Sequence, residues 1–250
     1  MNPTSLIARK EAGELLLSLR GLTWLLAVAV ALSAFGLLLV SNTELSLLDN
    51  AQVVYDMVGI VTALGGLLAL VVGLDAVAGE RERGSLVPLL LTPASRDGIL
   101  AGKLGGVAIA WAVMYALALP YLWAVGSTGQ NLWQGMVVLA LLGSPVVLGF
   151  GFLGMGLGGR LASARAGLLT GLITLVVSAS PLLLGPSLRQ STIGRVFDAV
   201  NAFSAAVNAY DAVIIDSQTV LAQWPHVVVA AVWFILTLWL ARSGFRQVAR

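Results

Sequence analysis

Long apolar runs separated by short polar connections dominate the chain. That is the pattern of helices that satisfy their own backbone inside a bilayer, rather than of amphipathic elements around a water-filled exterior. Hydropathy places six runs near Leu22 to Val40, Val53 to Leu74, Leu104 to Val125, Leu132 to Leu157, Gly167 to Gly185 and Pro225 to Ala241. Each approaches the roughly 20 residues that one helical crossing needs. The reading is an all-α membrane protein with six transmembrane helices in a single transmembrane domain over residues 1–250.

Three connections depart from the simple alternation. In the connecting segment 1–21, residues 6–20 wound as a helix bring Ala8, Ala12, Leu15, Leu16 and Leu19 onto one stripe, with Lys10, Glu11, Glu14 and Ser18 opposite. This predicts an amphipathic helix lying on the membrane surface, supported by the i,i+4 pair Lys10 and Glu14. Between the fifth and sixth runs, residues 186–224 place Ile193, Val196, Phe197, Val200, Phe203, Val207 and Tyr210 on one helical face. An amphipathic helix outside the bilayer is predicted there, because a structureless loop of that length is uncommon. Residues 75–103 form the third, a polar loop with a short apolar stretch inside it.

Composition sharpens the class. Apolar residues make up 58% of the 250 and charged residues only 10%, against about 25% charged in soluble domains, which excludes a water-soluble enzyme. Six spans put the amino-terminal segment, the 75–103 loop, residues 158–166 and the carboxy-terminal tail on one side. That side holds twelve of the 14 basic residues, leaving only Arg189 and Arg195 opposite. By the positive-inside rule the chain is a cytoplasmic (inner) membrane protein with both termini in the cytoplasm. The segment before Leu22 carries Arg9, Lys10, Glu11, Glu14 and Arg20, too long and too acidic for the head of a secretory signal, so it is expected to be retained.

Chemistry-bearing residues are sparse. The absence of cysteine removes disulfides and thiolate catalysis. His226 stands beside Pro225 without a neighbouring ligand, Asp56 reads with Tyr55 as an interface anchor, and the methionines are dispersed. The Gly-Lys pair Gly102-Lys103 is followed by Leu104, and Asp97 occupies the place where a phosphate-binding loop needs its first glycine. No catalytic, cofactor-binding or metal residue is assigned, no nucleic-acid partner is expected, and the energy source for any transport must lie on another chain. Gly149, Gly151, Gly154, Gly156, Gly158 and Gly159 crowd the end of the fourth run, a pattern that lets helix backbones approach closely.

The informative stretch is the 75–103 loop. Glu80, Arg81, Glu82 and Arg83 alternate in sign at the end of a span, Gly84 breaks the helix, and Ser85 to Leu91 are too few to cross a bilayer. Thr92-Pro93 then turns the chain, and Ser95, Arg96, Gly102 and Lys103 lead back into the membrane. Such a loop exposes a short, partly apolar helix. It resembles the ATP-binding-cassette type-2 permease family, whose corresponding loop reads E-R-E-x-G-T-L-E-x-L-L-x-T-P-x-S-R followed by Gly-Lys. Glu80, Glu82, Gly84, Leu86, Leu90, Thr92, Pro93, Ser95, Arg96, Gly102 and Lys103 match. Ser85 and Val87-Pro88 depart from the pattern, and a proline fits a first helical turn better than an interior one.

The resemblance extends to the six-span layout, the amino-terminal helix and the enlarged loop before the last span. It implies a coupling helix at about residues 85 to 92, braced by the amino-terminal connecting helix and docking on a soluble ATP-binding-cassette ATPase subunit. Glu80, Arg81, Glu82, Arg83, Gly84, Ser85, Leu86, Leu90, Thr92, Pro93, Arg96 and Lys103 are the implied docking residues. ATP and Mg would be bound by the ATPase, and a second permease subunit, identical or related, would complete the pathway in the lipid bilayer. The implied function is that of a non-enzymatic exporter subunit working by alternating access. A non-transporting structural or signalling subunit on the same fold is the alternative; an intramembrane enzyme would need a nucleophile or metal dyad.

Overall fold

The computed structural model describes residues 3–41, 50–126, 131–180 and 191–248. These residues are helical almost throughout. Helix α1 (Pro3–Leu17) leads into α2 (Leu19–Ser41) and, beyond the undescribed connection, α3 (Asn50–Leu74). A π turn at Asp75–Gly79 extends α3 to Glu80–Glu82. The short α4 (Leu86–Leu90) precedes α5 (Arg96–Gly126). Helix α6 (Leu132–Arg160) also contains a π turn, at Leu139–Gly143. Then come α7 (Ala164–Ala179), α8 (Thr192–Val200), α9 (Ala202–Tyr210) and α10 (Trp224–Val248).

Five of these helical stretches are long and apolar enough to cross a membrane: Gly21–Leu39, Ala51–Glu82, Arg96–Gly126, Leu132–Arg160 and Val220–Val248. The remaining expected span, 167–185, corresponds to α7. Its 16 residues rise about 24 Å at 1.5 Å per residue, and residues 181–185 of the expected run lie outside the described set. Contacts between chain ends give α7 a direction. Glu82 reaches the start of α7, and Asn201 donates to the Ser178 carbonyl near its far end, 2.7 Å away.

The core is organised around α6, which packs on α3 along one side and α10 along the other. The glycine tract serves both. A Cβ on Gly73 of α3 would stand 1.9 Å from the Gly151 carbonyl oxygen, and one on Gly159 would stand 2.3 Å from that of Gly244 on α10. These backbones touch, so dispersion contacts replace the hydrophobic driving force that two helices in lipid lack. Polar side chains tie neighbouring spans: Trp111 Nε1 donates to Ser144 Oγ at 2.8 Å, Tyr115 to the Met136 carbonyl at 2.9 Å and Tyr121 to the Ala29 carbonyl at 3.1 Å. Three of the aromatics of the third predicted span thus hold helices together.

The outer segment differs from the single amphipathic helix expected on residues Ile193 to Tyr210. At Asn201 the backbone turns extended (φ −85, ψ 117), and its side chain caps the next helix by accepting from Phe203 N at 3.0 Å. Val196 and Val200 of α8 are exposed, whereas Phe203, Val207 and Tyr210 of α9 are buried. Helix α9 with its π turn Asp211–Ile215 therefore re-enters the bundle, where the Tyr210 hydroxyl meets Thr62 Oγ1 of α3 at 3.0 Å.

Packing at the α3–α6 crossing makes a sharp prediction. Gly73→Val should lower the unfolding free energy of the purified protein in detergent by about 1–3 kcal/mol through overpacking. At Gly13, where an added Cβ meets nothing within 4 Å, alanine should instead stabilise by about 0.5–1 kcal/mol. Thermal unfolding of the two variants checks both signs.

Candidate functional site

The charged loop and the amino-terminal helix converge on one end of the bundle. Helix α1 lies along the first turns of α5 because α5 presents glycine there: a Cβ at Gly102 would come within 2.7 Å of Ile7, and one at Gly106 within 2.6 Å of Glu11. This close seating turns Glu11 inward. The expected polar face is divided: Glu11 points into the protein, its side chain only 10% exposed, whereas those of Lys10 and Glu14 remain 48% and 51% exposed.

There it meets Lys103, whose side chain is fully buried. The ammonium is 3.2 Å from Glu11 Oε1 and 2.6 Å from Glu80 Oε2. The other oxygen of Glu80 accepts from Lys10 Nζ at 2.7 Å, and Lys10 lies 3.4 Å from Glu14. Three helices that are distant in sequence are therefore joined by one ionic cluster of three carboxylates and two ammonium groups. Burial pushes the Glu11 carboxyl above the ordinary carboxylate range, against the opposing pull of Lys103. For Lys10, burial works against the charged form, but the Glu80 carboxylate prevails and holds the ammonium above its usual range.

The other charges of the loop act locally. Arg81 donates to the Leu161 carbonyl at 2.6 Å, and Glu82 accepts from the Ala164 amide at 2.7 Å, placing a carboxylate on the amino end of α7. Arg83 returns to Asp75, with contacts of 3.0 to 3.2 Å across the π turn. Gly84 adopts φ +72. Its amide bonds to the Arg81 carbonyl and that of Ser85 to the Glu80 carbonyl, a glycine-terminated helix end of the Schellman type.

Helix α4 follows at once. Pro88 is its third residue, so its missing amide falls in the first turn, where no intrahelical partner is lost. Leu86 is 1% exposed and anchors α4 to the bundle, while Val87 and Leu91 stand 63% and 82% exposed. Leu90 is half-buried, and Ser85, Thr92, Pro93 and Arg96 are exposed. The Thr92 hydroxyl closes α4 by donating to the Leu89 carbonyl at 2.7 Å, and Ser95 caps α5 by accepting from Gly98 N at 3.1 Å. The loop motif therefore resolves into structural tasks: a left-handed glycine, a helix-closing threonine, a capping serine and a buried Glu80–Lys103 pair.

Of the twelve expected docking residues, the structure gathers Gly84, Ser85, Thr92, Pro93 and Arg96 around the exposed tip of α4, with Leu90 on its flank. Glu80 and Lys103 are inside the protein, and Leu86 beneath the tip. Lys10, Glu11, Val87 and Leu91 complete the arrangement, although the loop motif does not mark them. The spacing of Gly102 and Gly106 and the unbalanced charge of Lys103 inside a long apolar helix were the available signals. Among the described residues no cluster of three or more His, Asp or Glu side chains could hold a metal.

Five helices long and apolar enough to cross a membrane, carrying a short helix held over a buried ion cluster, define a multi-pass membrane protein. The chain matches the description ABC-2 family transporter protein over residues 5–248, nearly its whole length. It belongs to that family, as a permease subunit of an ABC transporter. It is also 32% identical over 201 residues to the probable ABC transporter permease protein NosY of Stutzerimonas stutzeri, covering 74% of this chain and 70% of that one.

The buried cluster sets a stability test. Lys103→Met should cost about 3–5 kcal/mol, because Glu11 and Glu80 remain buried with one cation fewer. Asp97→Asn, which breaks an exposed 3.6 Å contact to Arg242, should leave thermal unfolding unchanged.

Proposed function

We propose that this permease subunit is the membrane half of an exporter that moves substrate by alternating access, driven by a separate soluble ATPase subunit that carries the ATP and Mg. The observation that carries the proposal is the arrangement at the basic end: an exposed apolar tip, Val87 and Leu91, on a helix rooted in a buried ionic clamp. Force applied to α4 passes through the glycine turn at Gly84 to Glu80, and from there to α5 through Lys103 and to α1 through Lys10 and Glu11. Packed elements linked this way move as units rather than deform. Glu80 and Lys103 contribute to docking by positioning α4, whereas the exposed residues around the tip make the contact.

The second permease subunit, identical or related, would cover apolar side chains that α2 and α7 turn outward, such as Leu26, Val30, Leu169 and Ile173. The basic end faces the cytoplasm in this reading, with both termini, in keeping with the distribution of arginine and lysine. Because the chain has no native cysteine, single cysteines report sidedness cleanly. Arg195→Cys should react with an impermeant maleimide in intact cells and Arg246→Cys only after permeabilisation; the reverse pattern would overturn the orientation.

Docking is tested at the tip. Val87→Asp combined with Leu91→Asp should abolish copurification of the ATPase subunit and transport, while thermal unfolding of the permease stays at the wild-type value. Retained copurification at wild-type yield would remove α4 from the interface. The isolated chain should hydrolyse no ATP above a mock preparation.

A further inference from the structure

Between α1, α2 and the end of α3 lies a cavity of about 730 Å³, within the range of roughly 300–1,000 Å³ common for small-molecule sites. Its walls combine two kinds of residue. Trp24, Val71 and Val72 give it apolar surface, and Lys10, Glu14, Asp75 and Arg83 give it charged groups. Gly21, where the apolar stretch of α2 begins, is also among the lining residues. The cavity therefore lies at the depth where hydrocarbon gives way to water, with a tryptophan at the level such residues favour.

We propose that this cavity binds the headgroup of an amine-bearing phospholipid of the phosphatidylethanolamine type. Its phosphate would lie between Lys10 and Arg83, its ammonium on Glu14, and its glycerol and first methylenes against Trp24, Val71 and Val72. Both cations keep donors for a phosphate. Lys10 has three N–H groups and directs contacts to Glu80 and Glu14; Arg83 has five and directs its bonds to Asp75. Their side chains are 48% and 42% exposed, so a ligand can reach them, and that of Glu14 is 51% exposed.

Charge selects the headgroup. Among the described residues four carboxylates line the cavity, those of Glu11, Glu14, Asp75 and Glu80, against two cations, and counting the adjoining Lys103 leaves the balance negative. An anionic headgroup without an amine meets net repulsion. A choline headgroup carries the positive charge but no N–H to donate. An ethanolamine headgroup offers an anion to the two cations and a donating ammonium to the half-exposed carboxylate of Glu14.

Native mass spectrometry of the full-length, delipidated chain tests the assignment, with dioleoyl phosphatidylethanolamine, phosphatidylcholine and phosphatidylglycerol added at equal concentration. The expected result is preferential retention of the ethanolamine lipid. In the double variant Glu14→Gln, Arg83→Gln that preference should fall about tenfold, while Trp24→Ala should weaken retention of all three lipids. Unfolding temperatures recorded alongside establish that the variants are folded, and Glu14→Gln alone, at a half-exposed position, gives a second readout if the double variant is not. Equal retention of the three lipids would overturn the proposal, as would an undiminished ethanolamine preference in folded variants. Displacement of the lipid by equimolar soluble phosphoethanolamine would overturn the lipid assignment in favour of a free small molecule.

Discussion

A fully buried lysine cannot be left without counter-charge, and the basic end of this permease is built around that constraint. Lys103 enters the protein on α5, at the start of a long apolar helix, and is neutralised by carboxylates from α3 and α1. Removing an ammonium from water costs several kcal/mol, offset only when paired oxygens are close and correctly placed. Glu80 must therefore end α3 at a definite height, and Glu11 must face inward on a helix whose pattern suggests the opposite. The π turn at Asp75–Gly79 and the glycine turn at Gly84 lie on either side of Glu80. Through these constraints the position of α4 is tied to that of α1 and α5.

The rest of the bundle is held by contacts of a different kind. In lipid, apolar side chains gain nothing by leaving their surroundings, so close backbone approach has to do the work that burial does in water. Helix α6 meets α3 at Gly73 and Gly151, and meets α10 at Gly159 and Gly244. A few hydrogen bonds between helices, such as Tyr121 to the Ala29 carbonyl and Tyr210 to Thr62, add direction to packing that is otherwise nonspecific. Ionic clamping at the polar end and glycine packing within the spans are thus complementary: one transmits position, the other keeps the spans together.

The loop shows how far a motif can be read. Gly84, Thr92, Ser95 and the apolar positions Leu86 and Leu90 announce a short capped helix, because turn and capping preferences act over three or four residues. What each charge touches is not local. Arg81 and Glu82 reach residues 80 and 82 positions away, and Lys103 reaches Glu11 across 92. An alternating charge run reads as a solvated surface until neighbouring helices cover part of it, and here they cover Glu80 while leaving Arg83 half-exposed.

The sequence by itself determined the membrane class, the approximate positions of the five long spans, the grouping of basic segments and the family, since the transfer of an apolar run into lipid and the signature of a capped loop are sums over neighbouring residues. The end to which Glu82, Leu161, Asp97 and Arg242 belong was legible for the same reason, and their contacts meet there. Only tertiary structure decided that α1 turns Glu11 inward, that Asn201 splits the outer segment and sends α9 back against α3, and that Glu80 and Lys103 are internal. Each of these depends on the rotation of one helix against another. A helical pattern specifies which residues share a face, but the face that is buried is chosen by whichever neighbour, glycine groove or counter-charge comes to lie against it.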